Sequence, residues 1–255
     1  MFFELLIICL FSLALGSFSN NYVSSFLNES KPDFLRSLCF CGKEKLIIYD
    51  LMPILSFFLL KGRCRFCNNK IPSRYLVVEI AALFCGLTSF YLNGYTAVTF
   101  LQTFILVLFV NIAVIDLRKL IIPNLLVALL FISGVIINFL ESDFGLINIY
   151  SGVASFFVFI LIKVLGSKLT GKEIIGMGDI KLITVLFTIT IFPVSLIGLW
   201  ISSVTGIAGF FITNKFSVQK NEGKIPFGFY LAITYSVIML FEYQIHEKYL
   251  ELIYF

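Results

Sequence analysis

Residues 97–116 read AVTFLQTFILVLFVNIAVID, and residues 176–194 read GMGDIKLITVLFTITIFPV. In each stretch a single aspartate, Asp116 or Asp179, lies near one edge of an apolar run. Ionisable side chains at membrane depth are costly, and they are usually functional or paired. Two carboxyl groups that share one proton are the minimal equipment for activating a water molecule. The two stretches therefore predict apolar helices whose ends carry a candidate pair of acidic catalytic residues.

The composition of the 255-residue chain indicates a protein that crosses a membrane many times. Hydrophobic residues make up 59% of the sequence and charged residues only 13%, whereas a soluble domain carries about 25% charged residues. Apolar runs long enough to cross a bilayer predict about eight spans. They lie near residues 2–25, 76–93, 97–116, 123–140, 147–165, 179–194, 196–213 and 225–241. The predicted fold is therefore an all-α polytopic membrane protein.

The basic residues indicate how these spans are oriented. Eighteen of the 19 Lys and Arg residues fall in loops on one side of the predicted membrane, and only Lys248 falls on the other. The positive-inside rule makes the basic side cytoplasmic, so both termini are predicted to lie outside. The net charge of +4 is thus a topology signal, and we expect contact with the lipid bilayer and no nucleic-acid partner. The same topology places Asp116 and Asp179 at the cytoplasmic edge.

The segment between the first two predicted spans has a different character. Residues 28–75 are polar and basic, and they contain four of the six cysteines, Cys39, Cys41, Cys64 and Cys67. Thiolates brought together by two short turns suit tetrahedral Zn²⁺, and a cytoplasmic location disfavours disulfides. Because so short a loop buries little core, we expect a structural zinc ion to stabilise it. The alternative is a loop with reduced thiols that is ordered by packing alone.

The chemistry available to Asp116 and Asp179 is general acid and base catalysis. Gly176 and Gly178 remove side-chain bulk beside Asp179 and allow a helix or an extended peptide to approach. Two carboxyl groups in contact do not both ionise readily, so one acts as a base toward water while the other polarises a peptide carbonyl. The alternative is that each aspartate caps a helix or pairs with a neighbouring cation. The neighbouring cations are Arg118, Lys119 and Lys181.

A set of short motifs, taken in order along the chain, resembles the bacterial prepilin peptidases. The motifs are Gly16-Ser17-Phe18, the two cysteine pairs, Tyr49-Asp50-Leu51-Met52-Pro53, Lys61-Gly62-Arg63-Cys64, Ile71-Pro72-Ser73-Arg74-Tyr75, Val78-Glu79, Ile115-Asp116, Ile122-Pro123-Asn124, Gly176-Met177-Gly178-Asp179-Ile180-Lys181 and Ile225-Pro226-Phe227-Gly228. Each motif is short, but their joint occurrence in this order is specific.

The resemblance implies a membrane-embedded aspartic peptidase of the G-x-G-D type. Such enzymes remove the basic leader from type IV prepilins or type II secretion pseudopilins at the cytoplasmic face of the inner membrane, typically between Gly and Phe. Asp116 and Asp179 fall on the two catalytic aspartates of the family, and the four cysteines fall on its metal-binding cysteines. Many members also methylate the new N-terminal amine, which implies S-adenosylmethionine as a second cofactor. The pair Cys39-Phe40-Cys41 is one residue shorter than the usual C-P-x-C.

Four regions are therefore expected along the chain. They are a first transmembrane helix over 1–27, a Cys-rich cytoplasmic loop with a methyl-transfer role over 28–75, a membrane-embedded peptidase domain over 76–241 and an outer tail over 242–255. One alternative is a peptidase of the same type for another precursor, such as a preflagellin. Two further alternatives lack peptidase activity: a transporter whose aspartates carry protons or cations, and a zinc-loop scaffold of a secretion system.

Overall fold

The computed structural model describes residues 2–28, 52–141, 145–216 and 225–254. In these ranges the regular structure consists of nine helices. They are α1 Phe2–Asn28, α2 Leu55–Leu59, α3 Arg74–Asn93, α4 Ala97–Lys119, α5 Asn124–Glu141, α6 Leu146–Thr170, α7 Met177–Ile189, α8 Val194–Phe216 and α9 Phe227–Tyr254. The predicted all-α fold is confirmed.

Most of the helices have the length and composition of membrane spans. In the described part of the chain, seven are long and apolar enough to cross a bilayer, namely α1, α3, α4, α5, α6, α8 and α9. A helix satisfies its own backbone hydrogen bonds, which a segment surrounded by lipid must do. The chain is therefore a polytopic membrane protein, as its composition predicts.

The predicted span over 179–194 takes a different form. Helix α7 has only 13 residues, so it is about 20 Å long, whereas the apolar core of a bilayer is about 30 Å thick. The helix ends because Thr190 has an extended backbone, with φ −111° and ψ 149°. The apolar run continues past this point, which is why the sequence predicts one long span more than the seven found in the described ranges.

The chain divides into two compact units, Met1–Asn111 and Ile112–Phe255. In the first unit α1 packs against α3. A small residue permits a close approach of the two helices, because a Cβ atom placed on Gly16 would lie only 2.9 Å from the Cβ of Ala82. Small residues at helix interfaces are the usual means of bringing backbones together in membranes.

In the second unit α7 is surrounded by other helices. It contacts α5, α6, α8 and α9, and its buried side chains cover most of its circumference. They are Ile180, Leu182, Ile183, Val185, Leu186, Phe187 and Ile189. A helix that is apolar over most of its surface is expected to lie largely inside a protein. Helix α9 continues across a non-helical residue, Phe241, so the segment predicted as an outer tail, 242–255, is helical as far as Tyr254.

Candidate active site

Asp116 lies near the end of α4, and its side chain is almost completely buried, with 4% exposed. The backbone N–H of Phe229 donates to Asp116 Oδ2 at 2.9 Å, and the backbone amide of Gly228 also interacts with this carboxylate. Both amides belong to the first turn of α9, where the helix itself supplies no acceptor. Asp116 therefore caps α9 from a position 113 residues earlier in the sequence.

The contact between Asp116 and α9 depends on a glycine. A Cβ atom placed on Gly228 would lie 3.0 Å from Asp116 Oδ2 and 2.7 Å from Ile122 Cδ1. Both distances are shorter than ordinary Cβ contacts, so a larger residue would require the Ile122 side chain and the Asp116 carboxylate to shift. Gly228 thus allows the backbone amides to reach Asp116.

Asp179 lies in the first turn of α7, three residues after the N-cap residue Gly176. Its carboxyl group accepts a hydrogen bond from the backbone amide of Gly176, which is one half of the capping-box arrangement. The side chain is only half-buried, unlike that of Asp116. The helix-capping role that the sequence left open is therefore present for both aspartates.

The structure brings the two predicted catalytic aspartates together. The carboxyl groups of Asp116 and Asp179 are close enough for the charge of one to act on the other. Lys181, which the sequence offers as a partner for Asp179, donates instead to Asn124 Oδ1 at 2.9 Å. A pair of carboxyl groups in this arrangement can hold one proton and one negative charge, which is the requirement for activating water against a peptide bond.

The two motif glycines lie close to this pair. A Cβ atom placed on Gly178 would be 3.2 Å from Ile122 Cβ, and one placed on Gly176 would be 3.0 Å from Asp179 Oδ2. Ile122 therefore packs beside both Gly178 and Gly228. Larger residues at these positions would move either the start of α7 or the Asp179 carboxyl group itself.

Cys64 and Cys67 lie in a short hairpin that follows α2. The backbone N–H of Cys64 donates to Asn69 O, and the N–H of Asn68 donates to Cys64 O, both at 2.9 Å. Asn68 has φ 56°, a left-handed conformation that Asn tolerates better than most residues. Cys64 is buried and Cys67 is half-buried. The turn thus holds two thiols on one loop, as half of a tetrahedral thiolate site requires.

The other two predicted zinc ligands, Cys39 and Cys41, lie outside the described residues. In the ranges that the structure covers, no group of three or more His, Cys, Asp or Glu side chains could hold a metal ion. The described residues therefore include two of the four ligands of the predicted zinc site, Cys64 and Cys67. The complete site stays a prediction.

Glu79 is a buried acidic residue to which the sequence assigned no definite role. Its Oε2 accepts from the Ile54 N–H at 2.8 Å, and its Oε1 accepts from Asn20 Nδ2 at 3.3 Å. Ile54 has φ 63°, a strained conformation for a β-branched residue. Glu79 thus fixes both α1 and the segment before α2 to α3. The sequence feature that could have pointed to this role is a carboxyl group inside an otherwise apolar run, which rarely occurs without a function.

Comparison with known proteins shows the family to which the chain is related. Residues 10–92 match the Bacterial Peptidase A24 N-terminal domain, and residues 103–211 match the Type IV leader peptidase family. A protein of Aeromonas salmonicida named prepilin leader peptidase/N-methyltransferase is 31% identical over an alignment of 277 positions, gaps included. The alignment covers 97% of this chain and 94% of the relative.

Two further relatives carry the same name. The Pseudomonas aeruginosa protein is 30% identical over 219 residues, covering 83% of this chain and 73% of its own length. The Vibrio cholerae protein is 29% identical over 197 residues, covering 72% of this chain and 77% of its own length. No solved structure shows a significant match to the chain. The similarity to these relatives extends over most of both chains.

Proposed function

The chain belongs to the type IV leader peptidase family, and on this premise we propose that Asp116 and Asp179 are its catalytic pair. The protein removes the leader peptide from prepilins or pseudopilins. The single observation that carries the assignment is that these two carboxyl groups lie close enough for the charge of one to act on the other, although they come from different helices, α4 and α7.

The surroundings of the two aspartates differ, and the difference assigns their roles. Asp116 accepts hydrogen bonds from two amides at the start of α9, whereas Asp179 accepts from one, that of Gly176, and N–H donors stabilise the ionised form of a carboxyl group. Asp179, half-buried beside that negative charge, retains the shared proton. Asp116 is therefore the general base and Asp179 the general acid.

The reaction follows from these roles. Asp116 takes a proton from a water molecule, whose oxygen attacks the carbonyl carbon of the scissile peptide bond while Asp179 donates a hydrogen bond to the carbonyl oxygen. The resulting tetrahedral intermediate collapses, the C–N bond breaks, and the nitrogen leaves as an amine after receiving a proton from the pair. The leader then ends in a new carboxylate and the mature protein begins with a new amine.

The predicted location of the site suits this substrate. A prepilin has a basic leader that stays in the cytoplasm and an apolar helix that enters the bilayer, so its cleavage point lies at the cytoplasmic interface. The basic loops of the chain support a cytoplasmic active site in the bacterial inner membrane, with both termini outside. The peptidase domain is assigned to residues 76–241, after a first transmembrane helix over 1–27 and a cytoplasmic loop over 28–75.

A second activity, N-methylation of the new amine, is supported by the names of the relatives. We assign it to the cytoplasmic loop, with S-adenosylmethionine as the methyl donor. Cys64 and Cys67, with Cys39 and Cys41, would hold the zinc ion that stabilises this loop. The buried thiol of Cys64 and the tight turn around it fit that structural role.

The test is intact mass spectrometry of a prepilin incubated with the purified protein and S-adenosylmethionine. The wild type is expected to remove the leader and to add one methyl group to the mature product. Asp179→Asn keeps the size of the side chain but removes the acid, so it is expected to leave the substrate mass unchanged while thermal unfolding of the variant stays like that of the wild type.

Other outcomes of this experiment separate the alternatives. Removal of the leader without methylation would support the peptidase and exclude methyl transfer on that substrate. Full processing by Asp179→Asn would contradict the assignment of the catalytic pair. An unchanged mass with wild-type protein and several prepilins would favour the transporter or the scaffold.

A further inference from the structure

Helix α7 carries Asp179 at one end and stops after 13 residues at the other. The last carbonyl groups of any helix lack partners within the helix, and inside an apolar protein an unsatisfied carbonyl is costly. At this end side chains of α5 and α6 bind two of these carbonyl groups, and a side chain of α9 binds a backbone N–H just beyond the helix. These contacts lie about 15 Å along the helix from Asp179, too far for any of them to touch the reacting atoms.

The three contacts form a set that we call the α7 anchor, consisting of Asn138, Ser151 and Glu242. Asn138 on α5 donates its Nδ2 to Ile189 O at 3.0 Å. Ser151 on α6 donates its hydroxyl to Phe187 O at 2.6 Å. Glu242 on α9 accepts a hydrogen bond from the backbone N–H of Ile191, just beyond the helix end.

These contacts fix the helix along its axis as well as around it. Three partners from three helices leave α7 little freedom to slide or rotate. Because an α-helix is stiff over three or four turns, a shift at one end moves the other end by a similar amount. A misplacement of about 1 Å is enough to reduce catalysis by about 100-fold.

We propose that the α7 anchor positions Asp179 against Asp116, with Glu242 as its main positioning residue. Glu242 is assigned this part because it binds the backbone beyond the end of the helix, and because it is the one ionisable side chain of the three. The proposal rests on the proposed peptidase function and adds residues that determine its rate without touching the substrate.

The test compares Glu242→Gln with Glu242→Met. Glutamine keeps an oxygen that accepts from the Ile191 N–H, whereas methionine has nearly the same shape without a comparable acceptor. We expect Glu242→Met to lower kcat for cleavage of a prepilin-type peptide by about 10-fold, with KM nearly unchanged. Glu242→Gln is expected to stay within about two-fold of the wild type. Exchange of the Ile191 amide hydrogen should accelerate in the methionine variant only.

A purely stabilising role would not produce this pattern, because it would change the amount of folded enzyme and not its kcat. Equal kcat values for Glu242→Met and the wild type would overturn the proposal. Equal losses in both variants would also overturn it, since the charge and not the acceptor would then matter.

If Glu242→Met does not fold, two variants at Ser151 test the proposal instead. Ser151→Ala removes the hydroxyl donor, and Ser151→Thr retains it. The proposal requires a lower kcat for alanine and recovery with threonine, and equal rates in the two variants would refute it. Wild-type protein and Asp179→Asn are measured on the same peptide. A wild type without activity would indicate failure of the proposed function, whereas an active wild type with unaffected anchor variants would indicate failure of this inference alone.

Discussion

The aspartate pair and the cysteine hairpin are built in opposite ways. Asp116 meets the backbone of α9 at a residue 113 positions away, and it lies close to Asp179, which belongs to another helix. Cys64 and Cys67 are held by hydrogen bonds to their own loop, such as that from Cys64 N–H to Asn69 O. The first site exists only when distant helices are assembled, whereas half of the second is encoded in a few consecutive residues.

This difference suggests which changes are damaging. The aspartate pair depends on close approaches that a single added methyl group would disturb, so changes well outside the two carboxyl groups should impair cleavage. The hairpin belongs to the other compact unit, so changes there should leave cleavage almost intact. The predictions below test this contrast in order of decreasing effect.

The largest effect is expected for Gly228→Ala. Its Cβ atom would lie 2.7 Å from Ile122 Cδ1 and 3.0 Å from Asp116 Oδ2, so both side chains must shift, which disturbs the bond from the Phe229 amide to Asp116. We expect kcat for leader cleavage to fall by about 100-fold. Gly206→Ala in α8 is the matched control, because its Cβ atom would meet its nearest neighbour at an ordinary 3.5 Å. Equal activity of the two variants would show that the close approach at Gly228 is unimportant.

Much of this architecture could be predicted before the structure was known. The apolar runs predict the helices, and the distribution of basic residues places Asp116 and Asp179 in the same layer. The contact of the two carboxyl groups and the role of Gly228 could not be read from spacing, because they arise from the packing of segments far apart in sequence. The motif that contains Gly228 was visible, but nothing in it pointed to Asp116.

The short helix α7 shows where sequence reasoning reaches its limit. The run over 179–194 has the apolar character of a span, and the local sign of an interruption is Pro193, four residues after the helix ends at Ile189. The helix can stop there because Asn138, Ser151 and Glu242 bind its final turn and the backbone just beyond. Each of these side chains comes from another helix, so the local sequence carries no sign of them.

An intermediate effect is expected for Glu79→Ala. The substitution removes the acceptor for Ile54 N–H and Asn20 Nδ2, leaving both donors without this partner and releasing the strained turn at Ile54. We expect the free energy of unfolding to fall by about 1–3 kcal/mol, measured by denaturant unfolding in detergent micelles. Glu79→Gln keeps one acceptor oxygen and should lose less. An alanine variant as stable as the wild type would contradict the structural role of Glu79.

The smallest effect on cleavage is expected for Cys64→Ser. Cys64 belongs to the first compact unit, whereas Asp116 and Asp179 belong to the second, so the cleavage rate should remain within about three-fold of the wild type. If the thiolates hold zinc, a chelator should lower the melting temperature of the wild type but not that of Cys64→Ser. Cys9→Ser, in α1, is the control for loss of a thiol outside the hairpin. A large loss of cleavage in Cys64→Ser would remove the contrast between the two regions.

The central claim is that Asp116 and Asp179 act as one catalytic unit. It is tested most directly by measuring single-turnover cleavage of one prepilin by Asp116→Asn, by Asp179→Asn and by the double variant. Because residues that work as a unit have strongly non-additive effects, we predict that the double variant loses no more activity than either single variant. If each substitution instead lowers the rate independently and the losses multiply in the double variant, the two carboxyl groups do not act as a pair.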